Sequence, residues 1–97
     1  MKVALLARDI DYQAEGVRSS LGLVVENMEV SFFLLDHELD PKLAADEDFK
    51  DRFFLFHDDM EGPVYSNVKE NEKHSFEILT IEEIGKRLRE FDLIIPF

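Results

Sequence analysis

A chain of 97 residues is one domain's worth, and at that length only a modest fraction of the surface is buried on folding. The formal net charge of −11 disfavours phosphate backbones and anionic membrane surfaces, so direct binding to nucleic acid or membrane is not expected. The absence of cysteine removes disulfides, thiolate metal sites and thiol nucleophiles.

The first element is predicted over Lys2 to Ala7, where Val3, Ala4, Leu5, Leu6 and Ala7 form an unbroken apolar run. Such a run suits a strand covered on both faces, as in a parallel sheet. Arg8, Asp9 and Asp11 follow at once. Then Ala14, Val17, Leu21, Val24 and Met28 recur at spacings of three and four, which predicts a helix with one buried stripe. Asp11 is the expected cap. Gly22 lies inside this helix at about 1 kcal/mol relative to alanine, a cost that close packing on the sheet would explain. Glu29 to Asp36, with Val30, Phe32, Phe33, Leu34 and Leu35, is the second strand. A helix between two apolar strands is a crossover unit, which makes those strands parallel.

The middle is ambiguous in pattern. Leu43, Ala44 and Ala45 after Pro41 predict a short helix. Phe49, Phe53, Phe56 and Met60 continue a helical spacing, but Phe53 to Phe56 is also an unbroken apolar run, and parity with the other strands places a strand at 52–57. Gly62-Pro63 breaks the chain, and Asn67 to Ser75 is polar and expected to be exposed. Phe76 to Leu79 reads as a short strand. Thr80 and Glu83 have the spacing of a capping box, with Ile81, Ile84, Leu88 and Phe91 as the buried stripe of the helix they open. Lys86, Arg87 and Arg89 lie toward its C-terminal end, where positive charge suits the dipole. Leu93 to Phe97 is the last strand, with Pro96 at its end or on an edge.

Together these elements predict an α/β domain over 1–97: three α/β/α layers around a mainly parallel five-stranded sheet, flavodoxin-like in topology. The opening Met1-Lys2-Val3-Ala4-Leu5-Leu6, the polar loop ending at Tyr12, the helix through Leu21 and the strand Val30 to Leu35 carry a family likeness. So do Leu79-Thr80-Ile81-Glu82-Glu83 and Phe91 to Phe97 at the other end. In these segments the chain resembles the small DsrE/DsrF/DsrH-like proteins of sulfur-relay systems. Leu55 to Gly62 is similar to the DsrH branch, where a strand runs into an acidic residue and a glycine. The resemblance implies assembly with like or related subunits. It also implies that sulfur-carrying members hold a persulfide on a cysteine near the carboxyl end of a middle strand. Around Phe56, His57 and Asp58 this chain has no cysteine, nor has it one elsewhere, so it is expected not to carry persulfide itself.

Ligands in open parallel sheets bind beyond the carboxyl ends of the strands. That rule nominates Arg8, Asp9, Asp11 and Tyr12, then Asp36, His37 and Glu38, then His57, Asp58 and Asp59. From these, Arg8, Asp9, Tyr12, Asp36, His37, His57 and Asp58 form the predicted polar site. A dinucleotide site does not fit, because the first loop has no glycine and presents Asp9 and Asp11 to the phosphates. A phospho-acceptor site built on Asp9, Asp11 and Asp58 or Asp59 lacks the lysine expected after a late strand, since no Lys follows Leu79 before Lys86. His37, Glu38, His57, Asp58 and Asp59 are metal-ligating types, but they come as adjacent residues whose side chains diverge on a strand; no metal or other cofactor is expected. His57 beside Asp58 or Asp36 suits acid–base work. However, Ser19, Ser20, Ser31, Ser66 and Ser75 lack a nucleophile-elbow context, and no catalytic residue is assigned.

With 45% hydrophobic residues and nine Phe, the chain has more apolar side chain than so small a surface hides. Phe53, Phe54 and Phe56 are therefore the predicted subunit contact. The function expected is that of a non-catalytic subunit or scaffold in a sulfur-relay assembly, either a homo-oligomer or a hetero-oligomer with related subunits. The alternative is a small-molecule- or metal-binding module. With neither a signal-peptide core nor a run of the roughly 20 apolar residues a span requires, a cytoplasmic location is expected.

Overall fold

The computed structural model describes residues 1–97 throughout. Five strands, β1 (Lys2–Ala7), β2 (Glu29–Leu34), β3 (Val64–Ser66), β4 (Glu77–Ile78) and β5 (Leu93–Pro96), form one sheet in the order β4-β3-β2-β1-β5. Every pairing is parallel. The helices are α1 (Gln13–Val25), α2 (Pro41–Ala44), α3 (Glu47–Phe54) and α4 (Ile81–Leu88).

The topology explains why the sheet is covered on both sides. From β1 to β4 each strand is added on the same side of its predecessor. The last connection reverses, carrying the chain from β4 across three strands to β5 beside β1. Crossovers of one hand that change direction must change face. So α1 and α3 pack on one face and α4 on the other. The alternation along the strands follows. Val3, Leu5 and Ala7 of β1 and Val30, Phe32 and Leu34 of β2 enter the first core, together with Val17, Phe49 and Phe56. Ala4 of β1, with Phe33 and Leu35, enters the second under Ile84 of α4. Both faces being buried, β1 and β2 read as continuous apolar runs. The fold class, the parallel β1–β2 pair and the presence of β4 and β5 are thus as expected. Pro96 ends an edge strand opposite Leu6, where a missing N–H costs no ladder bond to an outer neighbour.

Several local expectations are corrected. The run Phe53 to Phe56 is not a strand. Asp46 accepts a hydrogen bond from the Phe49 N–H at 3.0 Å and starts α3, whose first turn carries Glu47 and Asp48. The helix then widens into a π-type turn over Leu55–Asp59, with the Met60 N–H donating to the Leu55 carbonyl at 2.9 Å. The third strand is Val64–Ser66, beyond the Gly62-Pro63 break. A strand at 52–57 would put Phe54 and Phe56 on the same face. On the helix they separate: Phe56 is 0% exposed and Phe54 is 56% exposed.

At the start of α1 the cap is not Asp11. Asp9 accepts from the Asp11 N–H at 2.9 Å and caps a short 3₁₀ turn at Ile10–Tyr12 that leads into the helix. The close approach to the sheet is at Gly16 rather than Gly22. A methyl at Gly16 would lie 2.6 Å from Phe32 Cε1, whereas nothing lies within 4 Å of one at Gly22. The capping box is formed, Thr80 N–H to Glu83 Oε1 at 2.9 Å and Glu83 N–H to Thr80 Oγ1 at 3.1 Å. Hydrogen bonding to the Glu83 carboxyl, first from the Thr80 backbone N–H and then from the Thr80 side chain, holds it below its ordinary range. Ile84 is buried, but Ile81, in the first turn of α4, stays exposed and does not join the stripe. Finally, Asn67 to Ser75 is not simply an exposed loop. A 3₁₀ turn at Lys69–His74 buries Asn71 completely.

Candidate functional site at the strand carboxyl ends

Arg8, Asp36 and Asn67 are the residues that follow, or nearly follow, β1, β2 and β3. Because these strands are parallel and adjacent, their ends come side by side. Asp36 joins the other two. Its Oδ2 accepts from Arg8 Nε at 3.1 Å and its Oδ1 from Asn67 Nδ2 at 3.2 Å, while its backbone N–H donates to Asn67 Oδ1 at 2.8 Å. Asp36 is held at φ 68°, in the left-handed region that aspartate tolerates better than most residues. This geometry turns the chain sharply off β2 and aims the carboxylate across the strand ends.

Behind this row, two buried amides hold the loop that follows β2. Gln13 donates from Nε2 to the Glu38 carbonyl at 3.2 Å and accepts at Oε1 from the Asp40 N–H at 2.8 Å. Asn71 accepts at Oδ1 from the Leu39 N–H at 2.8 Å and donates from Nδ2 to the His37 carbonyl at 3.1 Å and to Ser66 Oγ at 2.9 Å. The loop's backbone groups are therefore satisfied by side chains from α1 on one side and the 69–74 turn on the other.

The predicted polar site divides in two. Arg8, Asp9, Asp36 and His37 do come together, lining a shallow depression with Ile10 and Phe97. Tyr12 is exposed at the head of α1 and does not line it. His57 and Asp58 lie on the π turn and border a different pocket with Phe49, Phe53, His74 and Ser75. There His57 Nδ1 lies 3.0 Å from the Gly62 carbonyl, and Nε2 lies 3.8 Å from Asp58 Oδ1. The split follows directly from the helix at 47–59. Once that segment is not a strand, its end does not reach the row of strand ends. The predicted contact residues divide too. Phe56 is core, Phe53 is half-buried among other rings, and only Phe54 stands out from the surface.

Sequence reasoning missed Asn67, Asn71, Gln13 and His74. Asn67 and Asn71 sit in the polar stretch read as exposed, and Gln13 stands one residue ahead of the apolar stripe. A buried amide leaves no mark on hydrophobic periodicity. The one available signal was position, since Asn67 follows a three-residue strand after a chain break.

The strand-end row is sparing in chemistry. The one cation, Arg8, is already paired with Asp36, and Asp9 stands beside it, so the depression does not favour anions. No hydroxyl is hydrogen-bonded to a histidine in the structure. No group of three or more His, Cys, Asp or Glu side chains is placed to hold a metal ion. No helix is long and apolar enough to cross a membrane. Comparison with protein-family models, with curated proteins and with solved structures finds no match to this chain.

The pocket at the π turn has one titration consequence. The His74 pKa is lowered, first by burial and then by Lys73, with Glu38 opposing. The unfolded chain therefore binds a proton at His74 more readily than the folded one. Stability from this group is complete above the ordinary histidine range and falls as pH drops through it toward the depressed folded value. Between pH 7.5 and 5.5 the parent should lose more stability in urea titrations than His74→Gln. The carboxylates titrate in both proteins, so the difference isolates His74, and identical pH slopes would refute the assignment.

Proposed function

We propose that the chain is a non-catalytic subunit or scaffold of a sulfur-relay assembly of the DsrE/DsrF/DsrH kind, unable to carry persulfide itself. The carboxyl end of β3 carries this reading. The resemblance puts the persulfide cysteine of carrier members near the end of a middle strand, and β3, third of the five strands in chain order, ends here in Ser66. Its hydroxyl is 0% exposed and accepts from the Val68 N–H at 3.1 Å and from Asn71 Nδ2 at 2.9 Å. Such an oxygen is neither a sulfur carrier nor an accessible nucleophile. The neighbouring strand ends are closed by the Arg8–Asp36–Asn67 bonds. The family pattern read as a strand at Leu55–Gly62 falls largely on a helical turn, so the likeness rests on the two ends of the chain.

A scaffold must have something to assemble with. The exposed ring of Phe54, with its chain neighbour Leu55 also exposed, offers an apolar contact on a chain whose formal net charge is −11. The partner would be a like chain or a related, cysteine-bearing one, in a cytoplasmic assembly.

Light scattering after size exclusion tests this. The chain, alone or mixed with a cysteine-bearing DsrE-type subunit, is expected to run as an oligomer. Phe54→Asp is expected to dissociate it at micromolar concentration while leaving the circular dichroism spectrum unchanged. A monomer under both conditions would rule the assembly out.

A further inference from the structure

A pocket of about 250 Å³ lies between α3, the π turn and the 69–74 turn. Its lining rings Phe49, Phe53 and His57 are aligned with one another and with Phe76, a buried ring outside the lining. Phe53 lies nearly parallel to Phe49 (centroids 6.0 Å apart, planes 8° apart), to His57 (5.8 Å, 16°) and to Phe76 (5.4 Å, 19°). A run of near-parallel rings beside an open volume suits another flat ring. The volume lies at the small end for ligand pockets, which limits that ring to one.

The polar groups define the rest. The Gly62 carbonyl can only accept, so in the neutral form of His57 the proton sits on Nδ1, 3.0 Å from it, and that form keeps a lone pair on Nε2. Asp58 does not satisfy that lone pair, because a carboxylate has no proton to give. His57 thus presents an acceptor that lacks a donor from the protein. Asp58 at the same rim repels anions, and the Lys50 ammonium is already paired with Glu47 at 3.3 Å. The π turn that places His57 is a kind of irregularity often found at functional sites.

We propose that this pocket binds a neutral, single-ring aromatic bearing a hydrogen-bond donor, of the phenol class. The ring lies against Phe53 and the hydroxyl donates to His57 Nε2. This goes beyond the assembly reading and is independent of it, since it is read by ligand binding and not by mass.

The test is an NMR titration of the full ¹⁵N-labelled chain with phenol, toluene and benzoate. Phenol is expected to shift the amides of Phe53, His57, His74 and Ser75 saturably, and to bind roughly 2- to 10-fold more tightly than toluene. Benzoate is expected to bind weakest. His57→Asn keeps a donor for the Gly62 carbonyl but removes Nε2, so it should abolish the phenol advantage and leave toluene unchanged. Shifts spread over the surface, equal binding of phenol and toluene, or an advantage that survives in His57→Asn would each overturn the proposal. Should His57→Asn fail to fold, the parent series decides alone: benzoate as tight as phenol overturns it.

Discussion

Phe56→Ala should destabilise the protein by about 3–5 kcal/mol, against a total stability on the order of 5–15 kcal/mol for a domain. The ring is wholly buried in the core shared by β1, β2, α1 and α3. The backbone of Gly62 lies flat against it, so closely that a methyl there would fall 2.4–2.6 Å from three ring carbons. Removing the ring leaves a cavity that this backbone cannot readily collapse into, because Gly62 is tied back through its N–H to the Phe56 carbonyl at 2.9 Å. Urea unfolding should show a lower midpoint with an unchanged slope. Phe54→Ala serves as the control and should fall within about 0.5 kcal/mol of the parent monomer. The pair discriminates between conformations as well. A strand would put both rings on one face and make the two losses alike, so equal losses would refute the helix at 47–59.

The second large effect is expected at Asn71. Replacement by leucine keeps the branched outline and the number of heavy atoms and removes every polar atom of the side chain. It strands the Leu39 N–H and the His37 carbonyl, and it takes one partner from Ser66 Oγ. Each buried group left unpaired costs about 1–3 kcal/mol, and the losses are not additive, so a total of about 3 kcal/mol is expected. Hydrogen exchange locates the damage. The Leu39 amide should lose protection out of proportion to amides of β1, because the loop after β2 is released before the sheet is. A variant within about 0.5 kcal/mol of the parent, with Leu39 still protected, would show that Asn71 does not hold that loop. The same experiment bears on the strand-end row, since a loosened loop also frees Asp36 from Asn67 and Arg8.

How much of this was legible in the chain itself differs by segment. β1, α1 and β2 could be read because each apolar run or stripe is long enough for its period to be unambiguous. The capping box at Thr80 and Glu83 could be read because it is a local exchange of hydrogen bonds within four residues. The candidate site was legible only in its first half. Arg8 and Asp9 follow a strand whose end is where the sequence puts it, and Asp36 and His37 follow one that ends two residues earlier than expected, so their convergence follows from parallel pairing alone. His57 and Asp58 were assigned to the same site by treating four consecutive apolar residues as a strand.

Local sequence determined the layered α/β architecture, the parallel sense of the first two strands and the absence of any thiol, because periodicity, capping and composition can be read without long-range contacts. Only the tertiary structure decided that Phe56 is core while Phe54 is surface, that a strand of three residues follows the break at Gly62, and that Asn67 and Asn71 reach back to the loop after β2. The physical reason is range: a four-residue apolar run is equally content in a helix or a strand until something long-range packs on it. Here Gly62 closes over the Phe56 ring and Phe76 stacks on Phe53, and neither contact has a signature in the local pattern.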